Sequence, residues 1–138
     1  MSSKKVKSNF LTTKWTEAPV PFADKAPIKT MLGTEETTFK GDEWEGVAHG
    51  EYVMSMTTDP AKWHFAGHLI FNGSLAGKKG AMVMDAKGTY DNGKVAGTWV
   101  ILTETATGEL KGAKGTGSYV VEKTGSGEQT QCEMNVEF

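Results

Sequence analysis

The stretch AMVMDAKGTYDNGKVAGTWVILT, residues 81–103, decides the fold. Asp91-Asn92-Gly93 separates two runs rich in Val, Met, Thr and aromatic residues. Asn-Gly accepts the positive φ that a two-residue hairpin turn demands. With Asn92-Gly93 as the turn, strands near Ala81–Tyr90 and Lys94–Thr103 pair so that Tyr90 faces Val95, Gly88 faces Gly97 and Ala86 faces Trp99. Paired glycines beside a Trp predict a sharply bent strand whose bare backbone the indole covers.

The same grammar extends along the chain in both directions. From Thr130 to Phe138, Cys132, Met134, Val136 and Phe138 alternate with Gln131, Glu133, Asn135 and Glu137, a period of two with one dry face. Gly115–Lys123 reads as a further strand, joined to the last through Gly125-Ser126-Gly127. Trp44–Thr57 and Trp63–Asn72 form a hairpin around Thr58-Asp59-Pro60-Ala61, and Ile28–Lys40 and Val6–Trp15 add two strands. The connector Glu17–Pro27 carries Pro19, Pro21 and Pro27 and reads as an ordered loop or a lid over one end. Gly73-Ser-Leu75-Ala-Gly77-Lys-Lys-Gly80 is echoed by Gly108-Glu-Leu110-Lys-Gly112-Ala-Lys-Gly115. No helical pattern follows either segment, so these are turns plugged by one Leu rather than phosphate loops.

No segment shows a helical stripe. The fold expected is all-β, a single antiparallel eight-stranded barrel over residues 1–138, the strand number at which a closed barrel just holds side chains or one small ligand. A two-sheet sandwich is the alternative on the same strand pattern.

Composition narrows the function classes. A chain of 138 residues buries enough surface to fold without staples, and the single Cys132 forms no internal disulfide. A reducing, cytoplasmic setting follows as the expectation, and no apolar run reaches the ~20 residues of a membrane span. All 15 basic residues are Lys and the net charge is −2, which argues against a nucleic-acid partner and against bidentate clamping of phosphate. No Cys/His cluster has metal-ligand spacing, and no cofactor motif is present. Five of the seven Met (Met31, Met54, Met56, Met82, Met84) fall in strands, as core filling or as an adaptable pocket lining.

Across Phe39-Lys-Gly41-Asp42, Glu51-Tyr52-Val53-Met54, Phe65-Ala-Gly67, the first glycine-rich echo, Gly88-Thr89-Tyr90-Asp91, Gly97-Thr98-Trp99 and Thr107-Gly108-Glu109-Leu110, the chain resembles small bacterial proteins of unknown function with an allene-oxide-cyclase-like barrel. The likeness spans nearly the whole length and implies a barrel. The related cyclases imply an apolar, lipid-like occupant. Leu69 stands where the pattern commonly has Glu, and Asp85-Ala86 where it has Gln-His, while Trp63 and Met56 are larger or more apolar than the pattern. Departures gathered on the two central hairpins read as a pocket remodelled by natural divergence or by engineering.

Asp85, within Met82-Val83-Met84-Asp85-Ala86, is the acid in the most apolar sequence setting. In a dry cavity such a carboxylate becomes a base matched to neutral pH, able to remove a proton in isomerisation, cyclisation or ring-opening elimination. Alternation also allows the opposite outcome: if the Met face lines the lumen, Asp85 lies outside. His68, with His64 and His49 behind it, is the second catalytic candidate, and a register pairing Tyr52 with His68 sets His64 and His68 on the face of Met54 and Met56. His64 and His68 lie ~13 Å apart along a strand, too far to share a metal. Trp63, Trp99, Tyr52, Met54, Met56, Met84, Leu69 and Glu51 complete the expected binding set, the indoles as stacking platforms for a small apolar or aromatic molecule. Three functions remain open: a non-catalytic binding barrel, a cofactor-free general-base enzyme, and a structural barrel that gains if the interior is solid. A homo-oligomer follows only by analogy with related barrels.

Overall fold

A computed structural model describes residues 3–123, 127 and 129–138. Eight antiparallel strands close into a barrel in simple meander order: β1 (Lys4–Pro19), β2 (Thr30–Lys40), β3 (Trp44–Met56), β4 (Lys62–Leu75), β5 (Lys78–Asp91), β6 (Lys94–Ile101), β7 (Lys114–Val121) and β8 (Thr130–Glu137). The joint expected at Gly125-Ser126-Gly127 lies largely outside the described residues. Among those described, no helix is long and apolar enough to cross a membrane.

The β5–β6 hairpin matches its sequence register: Tyr90 pairs with Val95, Gly88 with Gly97 and Ala86 with Trp99. Asn92 and Gly93 both take positive φ, 51° and 89°. The ring covering Gly97, however, is Tyr119, its cross-strand partner on β7, and Phe65 on β4 covers Gly88. Trp99 instead lies over Gly117.

The two glycine-rich echoes meet at one end of the barrel. The first is the β4–β5 turn, with Ala76 and Gly77 at positive φ (53° and 79°). The second is a single 3-10 turn, Gly108–Leu110, and Ala113 behind it. Thr107 N–H donates to Ala81 O at 2.8 Å, and Lys79 N–H donates to the Glu109 carboxylate at 3.0 Å. Leu75 and Leu110, the residues expected as plugs, are fully buried there with Trp44, Phe39, Phe71, Met82, Met134 and Val136. Trp44 stacks on Phe39 with centroids 4.7 Å apart. One half of the barrel is therefore packed solid, as close-packed side chains require.

The opposite half stays hollow. Of the Pro-bearing connector, β1 takes Glu17–Pro19, with Glu17 in the cavity lining, while residues 20–29, turned through Ala23 N–H to Val20 O and Lys25 N–H to Phe22 O, are not among the lining residues.

Candidate functional site

A cavity of about 810 Å³ opens at the end of the barrel away from the echoes. Phe10, Thr37, Leu69 and Trp99 line its deeper part, Tyr52, Met54, Phe65 and Tyr119 its walls, and Trp15, Trp63 and Tyr90 its rim. Inner and outer faces follow from the alternation of each strand. On β3 the even positions point inward, and on β4 the odd ones, because Tyr52 pairs with Gly67 and Glu51 with His68.

This register differs by one residue from the one that joins Tyr52 to His68. A one-residue slip turns every side chain of a strand over. His64 and His68 consequently stand on the outer wall, as does Glu51, and all three are exposed. Asp85 is outside as well, since Met82, Met84 and Ala86 take the inner face of β5. Asp85 Oδ1 lies 3.0 Å from His68 Nε2, with side chains 57% and 60% exposed, so solvent surrounds it rather than an apolar cavity. The environment that made Asp85 a candidate base is absent. His49 likewise pairs with Glu36 outside, at 3.3 Å.

Of the expected binding residues, Trp63, Trp99, Tyr52, Met54 and Leu69 do line the cavity. Met84 is fully buried in the packed half, and Met56 is half-buried opposite Trp63 without lining the cavity. Leu69 and Ala86 both sit on the inner wall and are buried. Cys132 is core, as its alternation implied; burial pushes its thiol up to about 12, countered in part by its contact to Ser8 O.

The acid inside the barrel is Glu35. On β2 it alternates inward with Met31, Gly33, Thr37 and Phe39, leaving Glu36 outside. Tyr52 donates its hydroxyl to Glu35 Oε1, and Thr12 Oγ1 lies 3.4 Å from Oε2. Burial is the main influence on the carboxyl and raises its pKa above the ordinary value, while the hydroxyls of Tyr52, Thr12 and Thr37 pull it partly back. Thr37 Oγ1 is buried and makes no hydrogen bond of normal geometry. Burial also raises the phenols of Tyr52 and Tyr119, with the nearby Glu35 charge adding to it.

Trp15 is the second residue that the sequence reading passed over. The β1–β2 register shifts between Thr12 and Lys14, so Thr13 is an extra residue. Such a bulge re-aims the residues after it. It brings Trp15 over Gly33, where a Cβ would sit 2.7 Å from the indole, and against Tyr52 in a stacked arrangement at 6.3 Å. Trp15 Nε1 donates to Glu17 at 2.7 Å across the rim. Among the described residues no group of His, Cys, Asp and Glu is arranged to hold a metal ion.

Comparison with known proteins agrees with this architecture. Residues 6–133 match the sequence model of a family described as Protein of unknown function (DUF3224). A solved structure of a DUF3224 protein of unknown function from Shewanella oneidensis MR-1 is similar, with a TM-score of 0.81 at 22% identity, covering 99% of this chain and 98% of that one. No curated protein matches the chain.

Proposed function

The chain belongs to the DUF3224 family, whose function is unknown, and from its lumen we propose that it binds a small, flat, apolar or aromatic molecule. The observation that carries this is the one-ended cavity of about 810 Å³, walled by aromatic and Met side chains, with the Glu35–Tyr52 pair set into its wall. Ligand sites are typically concave, mostly apolar and supplied with a few convergent polar groups. Burial of flat apolar surface supplies the affinity, and the paired carboxyl and phenol orient one polar group of the occupant. The unfilled half favours this over a purely structural barrel, because a structural barrel gains stability from every void it closes. The resemblance to allene-oxide-cyclase-like barrels points the same way by analogy of fold. Leu69 and Ala86 fit an interior tuned to an apolar occupant.

Calorimetric titration with 2-naphthol is the test. A saturable 1:1 isotherm is expected, lost in Leu69→Trp, whose indole fills the deeper cavity. No binding by the unmodified protein, or undiminished binding by a folded Leu69→Trp variant, rules the lumen out.

A further inference from the structure

A buried carboxyl is ordinarily explained by a cation beside it or by several N–H donors, because an unpaired buried charge is costly. Glu35 has neither. Among the described residues it makes no ion pair, and its partners are hydroxyls: Tyr52 on Oε1 and, at 3.4 Å, Thr12 near Oε2. The hydroxyls of Thr37 and Tyr119 also lie near it, and Met31, Met54 and Trp15 line the same cavity. A carboxyl kept in this setting has no evident structural task, and an acid whose pKa is raised by burial in a cleft is a functional-site candidate.

We propose that Glu35 is a general base that removes a proton from an acidic C–H of a flat, conjugated carbon acid held in the barrel. This rests on the lumen being a binding site. Tyr52 occupies Oε1 and fixes the carboxylate plane, which leaves Oε2, held only by the long contact from Thr12 Oγ1 at 3.4 Å, as the proton acceptor. Tyr52 is a positioning residue in this scheme. Aromatic side chains in the wall, Trp15 stacked beside Tyr52, Phe65 edge-on to Tyr52, and Tyr119, hold a planar ring against the carboxylate.

The same lining restricts the substrate class. Among its described residues the cavity has no cation except Lys123 at the rim, so nothing beside Glu35 neutralises a localised enolate. The negative charge must spread through the substrate itself or leave on a stable anion. An activated benzisoxazole meets this requirement. Its C3–H bond breaks and the proton passes to Glu35. The C–H electron pair forms the nitrile as the ring N–O bond breaks, and a cyanophenolate leaves. Glu35 then returns the proton to water. Atoms and charge balance without a cofactor, an oxidant or a reductant.

The experiment is turnover of 5-nitrobenzisoxazole across pH, beside 2-naphthol binding, for the unmodified protein, Glu35→Gln and Tyr52→Phe. Saturable turnover is expected, falling at least about a hundredfold in Glu35→Gln, the usual worth of a positioned base, while naphthol still binds saturably but more weakly, having lost the orienting carboxylate. Gln keeps the shape and can still accept from Tyr52, so retained binding reports a folded barrel. Tyr52→Phe removes a hydrogen bond that favours the ionised carboxylate, so the midpoint of its pH–rate profile should move upward. Naphthol binding without turnover by the unmodified protein, or equal turnover in Glu35→Gln, overturns the base and leaves the binding site standing. An unshifted midpoint in Tyr52→Phe overturns the positioning role. Absence of naphthol binding removes both.

Discussion

Glu35 and Asp85 differ in what surrounds them more than in what precedes and follows them in the chain. Asp85 has Met82, Met84 and Ala86 as sequence neighbours, yet those residues turn to the opposite side of the strand. Glu35 sits in Gly33-Thr34-Glu35-Glu36-Thr37, a polar context, and faces the cavity with Met31 and Phe39. In a strand the environment of a side chain is set by residues two away and by cross-strand partners. The usable signal for Glu35 was its even spacing from Met31 and Phe39, obscured because Leu32 supports the opposite phase. Asp85→Asn is therefore expected to leave naphthol affinity unchanged. An exposed pair with His68 contributes at most about 1 kcal/mol, and thermal unfolding with and without the substitution checks that small cost.

At the level of elements, the turns were the most legible part. Asn92-Gly93 forces a two-residue connection, and that connection dictates every pair of the β5–β6 ladder, including Gly88 opposite Gly97. The echoes likewise announced themselves as Leu-plugged turns. The β3–β4 connection was less informative, because its residues around Asp59 allow more than one loop length and each changes the register by one. Here Thr57 N–H donates to Lys62 O at 2.9 Å and Ala61 N–H to the Asp59 side chain at 3.0 Å, which brings Tyr52 opposite Gly67. The Thr13 bulge, which recruits Trp15, left no mark in the alternation. Gly88 illustrates how closely the ladders are fitted: a Cβ there would lie 2.1 Å from Ala96 O and 2.6 Å from the Phe65 ring. Because the nearer atom is backbone, Gly88→Ala should lower the unfolding free energy by about 1–3 kcal/mol, as overpacking does, measurable by denaturant titration.

For the molecule as a whole, the hollow half carries a cost in stability that depends on pH. Glu35 has a higher pKa folded than unfolded, so the native state binds more protons than the unfolded chain between those two values. Stability contributed by the neutral carboxyl is fully present below the unfolded value and is lost as pH rises through the folded one. Glu35→Gln, permanently uncharged, should accordingly melt at a higher temperature than the unmodified protein at neutral pH, and the difference should vanish in mild acid. Melting curves at several pH values decide it; a difference that grows on acidification has the wrong sign. A gain of this kind, made at the expense of the proposed reaction, is the familiar exchange between activity and stability.

The echoed turns have a further consequence. By sealing one end they make the barrel, among the described residues, a blind alley with a single door for arrival and departure. An elongated occupant with no room to turn over keeps the heading with which it entered, so the end that reaches the carboxyl is chosen at the doorway, between Trp15, Trp63 and Tyr90. For the proposed occupant this means traffic one at a time: a molecule must back out before another can enter.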